Sequence, residues 1–338
     1  MNLSFVLPGC SIPHDQRRLA ALSTARGRGD ARVYNRRAMH AIFASADTLG
    51  AALQARGYLA DRPTAVSLFL AGRLGKPLLL EGPAGTGKTE LAKALAGALG
   101  APLIRLQCYE GLDEAKALYE WEYGKQLLYT QILREAIAGA VGQAGSLAEA
   151  AAIVRREGNV FFTRDFLLPR PLLAAILSPE PCVLLIDEID RADEEFEAFL
   201  LEVLSDFQVS VPELGTLRAE TRPAVVLTSN ATRELSEALR RRCLYQPMAY
   251  PTPEREAQII RAREPALPAQ FVAEITRFVA KARALELRKR PSIAEALDWA
   301  AALALLHADR LAPDLVRDTI GALLKDPADI AAVLRGRL

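Results

Sequence analysis

The stretch Leu78-Leu79-Leu80-Glu81-Gly82-Pro83-Ala84-Gly85-Thr86-Gly87-Lys88-Thr89 constrains the fold of this chain more than any other. Three leucines read as a short buried strand, and a glycine-rich turn follows them. Leu91, Leu95 and Leu99 then recur every four residues, which predicts a helix from Lys88 to about Leu99. The turn fits G-x-x-x-x-G-K-[ST], a phosphate-binding loop. Its glycines let the backbone curl so that successive N–H groups converge on one hollow. At a helix N-terminus such a hollow attracts anions through donors and dipole together. The Lys88 ammonium can reach outer phosphates as a point charge, and the Thr89 hydroxyl can bind Mg²⁺. An ordinary glycine turn would also match so short a pattern, but the strand before it and the helix after it argue for the loop.

The flanking segments predict an α/β fold. Asp61-Arg62-Pro63-Thr64 is a helix-start signal, opening a helix that carries Ala65, Leu68 and Leu70 and stops near Gly72 or Gly75. A second strand is expected at Leu103-Ile104-Arg105-Leu106-Gln107. Strands alternating with helices imply a parallel sheet flanked by helices, with ligands bound beyond the carboxyl ends of the strands.

Cys182-Val183-Leu184-Leu185-Ile186-Asp187-Glu188 is apolar without alternation, as a strand buried on both faces should be, and it ends in two carboxylates. Nucleotide hydrolysis needs that pair: Asp187 can hold Mg²⁺ through its water shell, and Glu188 can polarise the attacking water. An acidic surface turn is the alternative. The helix that follows places Phe196, Leu200 and Val203 on one face. Its glutamates Glu194, Glu195, Glu197 and Glu202 are expected in solvent.

Phe207 to Arg218 reads as a hairpin turning near Gly215, and Ala224 to Thr228 as another buried strand ending in Ser229-Asn230. An amide at that tip could orient water, or simply form a turn. Ser236 to Arg242 is a short helix ending in Arg240-Arg241-Arg242. Cations there favour the dipole by about 0.3–1 kcal/mol each; one of them could instead reach a neighbouring subunit's γ-phosphate.

Residues 252–338 are helical in pattern and are expected to form a small domain separated near Tyr250-Pro251-Thr252-Pro253. Ser292-Ile293-Ala294-Glu295 is a capping box for a helix with Trp299, Leu303 and Leu306 on one side; Val316, Ile320 and Leu324 mark another. Residues 109–160 are less regular, with helices expected over Gln126 to Ala140 and Leu147 to Arg156. Tyr109, Tyr119, Trp121, Tyr123 and Tyr129 concentrate aromatics there, read as core with partner contact as the alternative.

Residues 1–38 differ from the rest. Seven arginines and one aspartate fall between Gln16 and Ala38, without an apolar period. A basic arm for nucleic acid or a partner, an arginine-rich presequence and a disordered or non-native leader ahead of Met39 all fit; composition favours the last. The formal net charge of +1 gives no global reason to expect nucleic acid or membrane binding. Cys10, Cys108, Cys182 and Cys243 form no C-x-x-C pair and fit a reducing, cytoplasmic setting. No apolar run approaches the ~20 residues that span a bilayer.

In their order, the loop at Gly82–Thr89, Asp187-Glu188, Thr228-Ser229-Asn230, the arginine-ended helix and a helical lid resemble an AAA+ ATPase over about residues 50–338. The chain is most similar to the MoxR branch, especially members that mature carbon monoxide dehydrogenase. Ile104 to Asp113, Thr228 to Tyr250, the insert before Cys182 and the hairpin before the Asn230 strand carry that likeness.

The resemblance implies ATP and Mg²⁺ as cofactors. Gly82, Pro83, Ala84, Gly85, Thr86, Gly87, Lys88 and Thr89 would bind the phosphates, with Thr89 and Asp187 on the metal. Glu188 would be the catalytic base, Asn230 the first sensor and Arg242 the arginine finger, with Arg241 close enough to be confused with it. The family's lid arginine finds Ile293 in its place, which leaves Arg290 as the nearby candidate. A hexameric ring, a client protein, metalloenzyme maturation and a partner with a von Willebrand A-type domain are further implications. A P-loop kinase, a nucleic-acid motor and a non-catalytic nucleotide switch compete with this reading.

Overall fold

The computed structural model describes residues 42–129, 131, 146, 163–212 and 214–336. The leader 1–38 and the helix expected over Leu147 to Arg156 lie outside the described residues. So does most of Gln126 to Ala140, of which 126–129 and 131 are helical.

In chain order, α1 (Ala46–Gln54) and α2 (Arg62–Leu74) precede β1 (Leu78–Glu81), α3 (Lys88–Leu99) and β2 (Leu103–Gln107). Next come α4 (Glu114–Leu118), β3 (Tyr119–Trp121), β4 (Leu167–Pro169), α5 (Pro171–Ile176), β5 (Val183–Asp187) and α6 (Glu194–Asp206). The hairpin β6 (Gln208–Val211) and β7 (Gly215–Arg218) leads to β8 (Ala224–Ser229), α7 (Glu237–Arg242) and β9 (Leu244–Pro247). Five helices follow: α8 (Pro253–Arg263), α9 (Ala269–Ala284), α10 (Ile293–Leu305), α11 (Pro313–Leu323) and α12 (Pro327–Arg335).

β1, β2, β5, β8 and β9 form one parallel sheet in the order β2-β5-β8-β1-β9. Side chains alternate across a strand, and the two faces bury different sets. Leu79, Leu184, Ile186, Val225 and Leu227 join α5 and α6 on one side. Leu78, Leu80, Val183, Leu185 and Val226 join α1, α2 and α3 on the other. Each such leucine removed from water contributes roughly 1.5–3 kcal/mol, which explains why these strands are apolar without alternation.

Helix ends are set locally. The Asp61 side chain accepts from Thr64 N at 2.9 Å to start α2, and left-handed Gly75 ends it. The capping box of α10 is complete, with Ser292 and Glu295 each bonding the other's backbone N–H. The last five helices bury their own core around Phe271, Ile275, Val279, Trp299 and Leu303, with the Phe278 and Trp299 rings 5.1 Å apart.

The helix α2 carries Ala65, Leu68 and Leu70 and stops at Gly75 as expected, with Leu70 exposed. Two expectations need correction. Leu306 does not join Trp299 and Leu303 on the buried side, because α10 has ended at Leu305. Glu197 is fully buried, with Oε1 2.5 Å from Arg233 Nη2 and Oε2 accepting from Ser236 N at 2.8 Å. It ties α6 to the turn before α7 and has no solvated role. The aromatics divide: Trp121 is buried, whereas Tyr109, Tyr123 and Tyr129 are exposed, with the Tyr129 ring edge-on to Phe166 at 5.2 Å. No described helix is long and apolar enough to cross a membrane.

Candidate nucleotide site

β8 lies between β1 and β5, so the loop after β1, the acids ending β5 and the amide after β8 emerge side by side. This is the carboxyl edge at which open parallel sheets bind ligands.

The phosphate loop is shaped by close approach. A Cβ on Gly82 would lie 1.9 Å from the Met248 carbonyl oxygen, and one on Gly85 2.1 Å from Ser292 Cβ. Gly85 also has φ +76°, in the left-handed region that glycine adopts at no steric cost. Lys88 Nζ donates to the carbonyls of Gly82 and Pro83 at 2.7 and 2.8 Å, and Thr86 Oγ1 donates to Pro83 O at 3.0 Å. Burial pushes the Lys88 ammonium below the usual lysine range, partly offset by Asp190, Asp187 and Glu188.

The acids meet the loop directly. Thr89 Oγ1 donates to Asp187 Oδ1 at 3.0 Å, and Thr228 Oγ1 donates to the same oxygen at 2.5 Å. Arg105 Nε and Nη2 donate to Asp187 Oδ2 at 3.0 and 2.6 Å. Glu188 has φ +57°, a strained value for a side chain with a Cβ; its N–H donates to Thr228 Oγ1 at 2.9 Å. Its carboxylate accepts from Gln107 Nε2 at 3.0 Å and from Asn230 Nδ2 at 3.4 Å. The three residues expected at neighbouring strand tips, Asp187, Glu188 and Asn230, are therefore brought together beside Lys88 and Thr89.

Two hard oxygen donors, Thr89 Oγ1 and an Asp187 carboxylate oxygen, sit within one hydrogen-bond length. That set fits Mg²⁺, which takes one or two protein oxygens and completes its shell with phosphates and water. When bound, such an ion would offset charge on phosphoryl oxygens.

The arginines lie elsewhere. Arg242 Nε donates to Ser205 Oγ at 2.8 Å, Arg241 pairs with Glu237 at 2.5 Å, and Arg240 is 3.4 Å from Glu81 Oε1. Among the described residues, Arg242 makes no hydrogen bond to the loop or the acids. Arg290 is exposed and bonds none of the described residues.

Sequence reasoning missed several parts of this site. Arg105 and Gln107 are polar residues two apart on a strand, hence on one side of it, beside the strand that ends in the acids; that alternation was the available signal. Asp190 accepts from Thr232 N and Oγ1 at 3.1 and 2.6 Å, fixing the turn after Asn230. The segment after β9 and the helical region also reach the loop: Tyr250 OH donates to Ala84 O at 3.3 Å and Ile293 N to Gly85 O at 3.1 Å. Behind these contacts, Arg283 grips Glu256 with two hydrogen bonds of 2.7 and 2.8 Å, donates to Pro291 O at 2.8 Å and lies over the Tyr250 ring.

Residues 77–243 match the family model described as "AAA domain (dynein-related subfamily)". A comparison with curated proteins finds no match. Among solved structures, the chain is similar to a point mutant of Thermotoga maritima RuvB, at 20% identity and TM-score 0.45, covering 78% of this chain and 68% of that one. It is also similar to the Thermotoga maritima RuvB Holliday junction branch migration motor, at 18% identity and TM-score 0.42, covering 81% and 69%. With its five-stranded parallel sheet, its phosphate loop and the helices that follow, this chain has the AAA+ P-loop fold, and residues 77–243 carry the match to the AAA domain.

Proposed function

We infer that this chain hydrolyses ATP with Mg²⁺ and uses the energy, as an assembled ring, to remodel or mature a client protein. The observation that carries the reading is the Thr89–Asp187 contact at 3.0 Å with Glu188 beside it: a metal pocket and a base at one phosphate loop. Gly82 to Thr89 hold the phosphates, Lys88 neutralises the outer ones, and Thr89 and Asp187 hold the metal. Glu188 takes the proton of the attacking water and Asn230 steadies it. Hydrolysis, rather than transfer to a small acceptor, is favoured by that base beside the metal acid.

Arg242 is assigned to a neighbouring subunit's site, since its guanidinium bonds Ser205 rather than the loop or the acids and lies at the surface. We assign 39–250 to the nucleotide-binding domain, with a helical insert over about 109–160, and 251–338 to a lid. The MoxR branch, six subunits, a metalloenzyme client and a von Willebrand A-type partner follow from the sequence resemblance alone. Mixing tests the assembly. Arg242→Ala subunits and Glu188→Gln subunits, each inactive alone, should regain part of their turnover when combined, because an intact arginine then faces an intact base. Trans arginines contribute roughly 10³–10⁵ in rate. An Arg242→Ala protein with wild-type turnover would remove the trans role.

A further inference from the structure

Asp187 has more partners than holding a metal requires. Oδ1 accepts from Thr89 and Thr228, and Oδ2 accepts twice from Arg105. A carboxylate offers about four lone-pair sites, so these donors fill it. The Asp187 side chain is 3% exposed, while that of Arg105 is 49% exposed. The guanidinium is thus the counter-ion of a buried acid, and it has solvent to withdraw into. A dication on Thr89 and Asp187 would meet that positive charge within a few ångströms, where like charges repel strongly.

We propose that Arg105 is a positioning residue that competes with the divalent cation for Asp187: it neutralises the acid while no metal is held there and swings outward when metal and nucleotide arrive. The proposal rests on the reading of Asp187 as the metal-holding acid. It also links metal arrival to the base. Arg105 Nη2 is 2.5 Å from Gln107 Oε1, and the Gln107 amide in turn holds Glu188 at 3.0 Å. Withdrawal of Arg105 therefore releases one end of Gln107, which with Asn230 and Arg191 restrains Glu188.

The test is Mn²⁺ binding to the full chain saturated with ADP, read by the loss of the free-ion electron paramagnetic resonance signal. Arg105→Met should bind Mn²⁺ about three- to tenfold more tightly than wild type, since a competing charge is gone. Its affinity for ADP in EDTA should stay unchanged. Arg105→Lys, with a point charge in place of the fork, should fall between the two. If Arg105→Met does not fold, a Mn²⁺ affinity for Arg105→Lys tighter than wild type supports the competition and an equal or weaker one overturns it. Unchanged or weaker Mn²⁺ binding in folded Arg105→Met overturns it, and so does weaker metal-free ADP binding, which would make Arg105 a phosphate ligand. Asp187→Asn separates the two levels. If it leaves Mn²⁺ affinity intact, the metal site itself is misassigned. If it weakens Mn²⁺ while Arg105→Met does not tighten it, the competition alone fails.

Discussion

Thr89 Oγ1 donates to Asp187 Oδ1 across 3.0 Å, joining residues 98 positions apart in the chain. The contact exists because β1 and β5 both flank β8 and run parallel to it, so the loop after one strand and the last residue of the other share an edge. The loop is also fixed from outside the sheet, and that second attachment yields the first prediction.

Gly85→Ala should weaken nucleotide binding without unfolding the protein. The position has φ +76°, and a Cβ there would collide with Ser292 at the start of α10. Left-handed backbone costs a residue with a Cβ roughly 1–2 kcal/mol, and relief requires the loop and α10 to part. Expected is a loss of about tenfold or more in nucleotide affinity by calorimetry, with the far-ultraviolet circular dichroism of the native protein. Native affinity would show that the seating of α10 on the loop does not matter.

The buried Arg283–Glu256 pair predicts an asymmetry between single and double substitutions. Glu256 is almost fully buried, and burial raises its carboxyl above the usual range while the two Arg283 bonds pull it back. Removing one partner leaves a buried charge alone, so Arg283→Met or Glu256→Met should each cost about 3–5 kcal/mol. The double substitution Glu256→Met, Arg283→Met should cost less than Arg283→Met alone. Chemical denaturation measures all three; strict additivity of the single losses would contradict the burial argument.

Asp190 predicts a pH window. Burial alone would raise its carboxyl, but hydrogen bonds from the Thr232 hydroxyl and N–H outweigh it and hold the group below the usual aspartate range. Its folded value is therefore depressed, so the stabilisation is complete above the unfolded value of ~3.9 and fades as pH falls through the folded one. Asp190→Asn should melt below wild type at neutral pH, and the gap should close in acid below about pH 4. A gap that persists or widens in acid would contradict the assignment.

The sheet was legible because buried parallel strands leave uninterrupted apolar runs, as at Leu78–Leu80 and Val183–Ile186, and because Lys88, Thr89, Asp187 and Asn230 stand at the ends of such runs. Arg105 and Gln107 were harder to read. Their function depends on β2 lying next to β5, a neighbour relation that strand pairing sets and local sequence does not. Glu197 misled for a related reason: on α6 it looks like one of several surface glutamates, and only the tertiary position of Arg233 makes it buried. Arg283 lacked a local signal altogether, since its partners Glu256, Tyr250 and Pro291 come from three separate segments.

The central claim is that Glu188 activates water against a nucleotide held by Gly82–Thr89 and Asp187. Phosphate release from MgATP by wild type and by Glu188→Gln, with no acceptor added, tests it most directly. Wild type should release phosphate, and the variant should keep its MgATP affinity while its turnover falls by about 10²–10⁴. Equal turnover in the two proteins, or no release without an added acceptor, would contradict it.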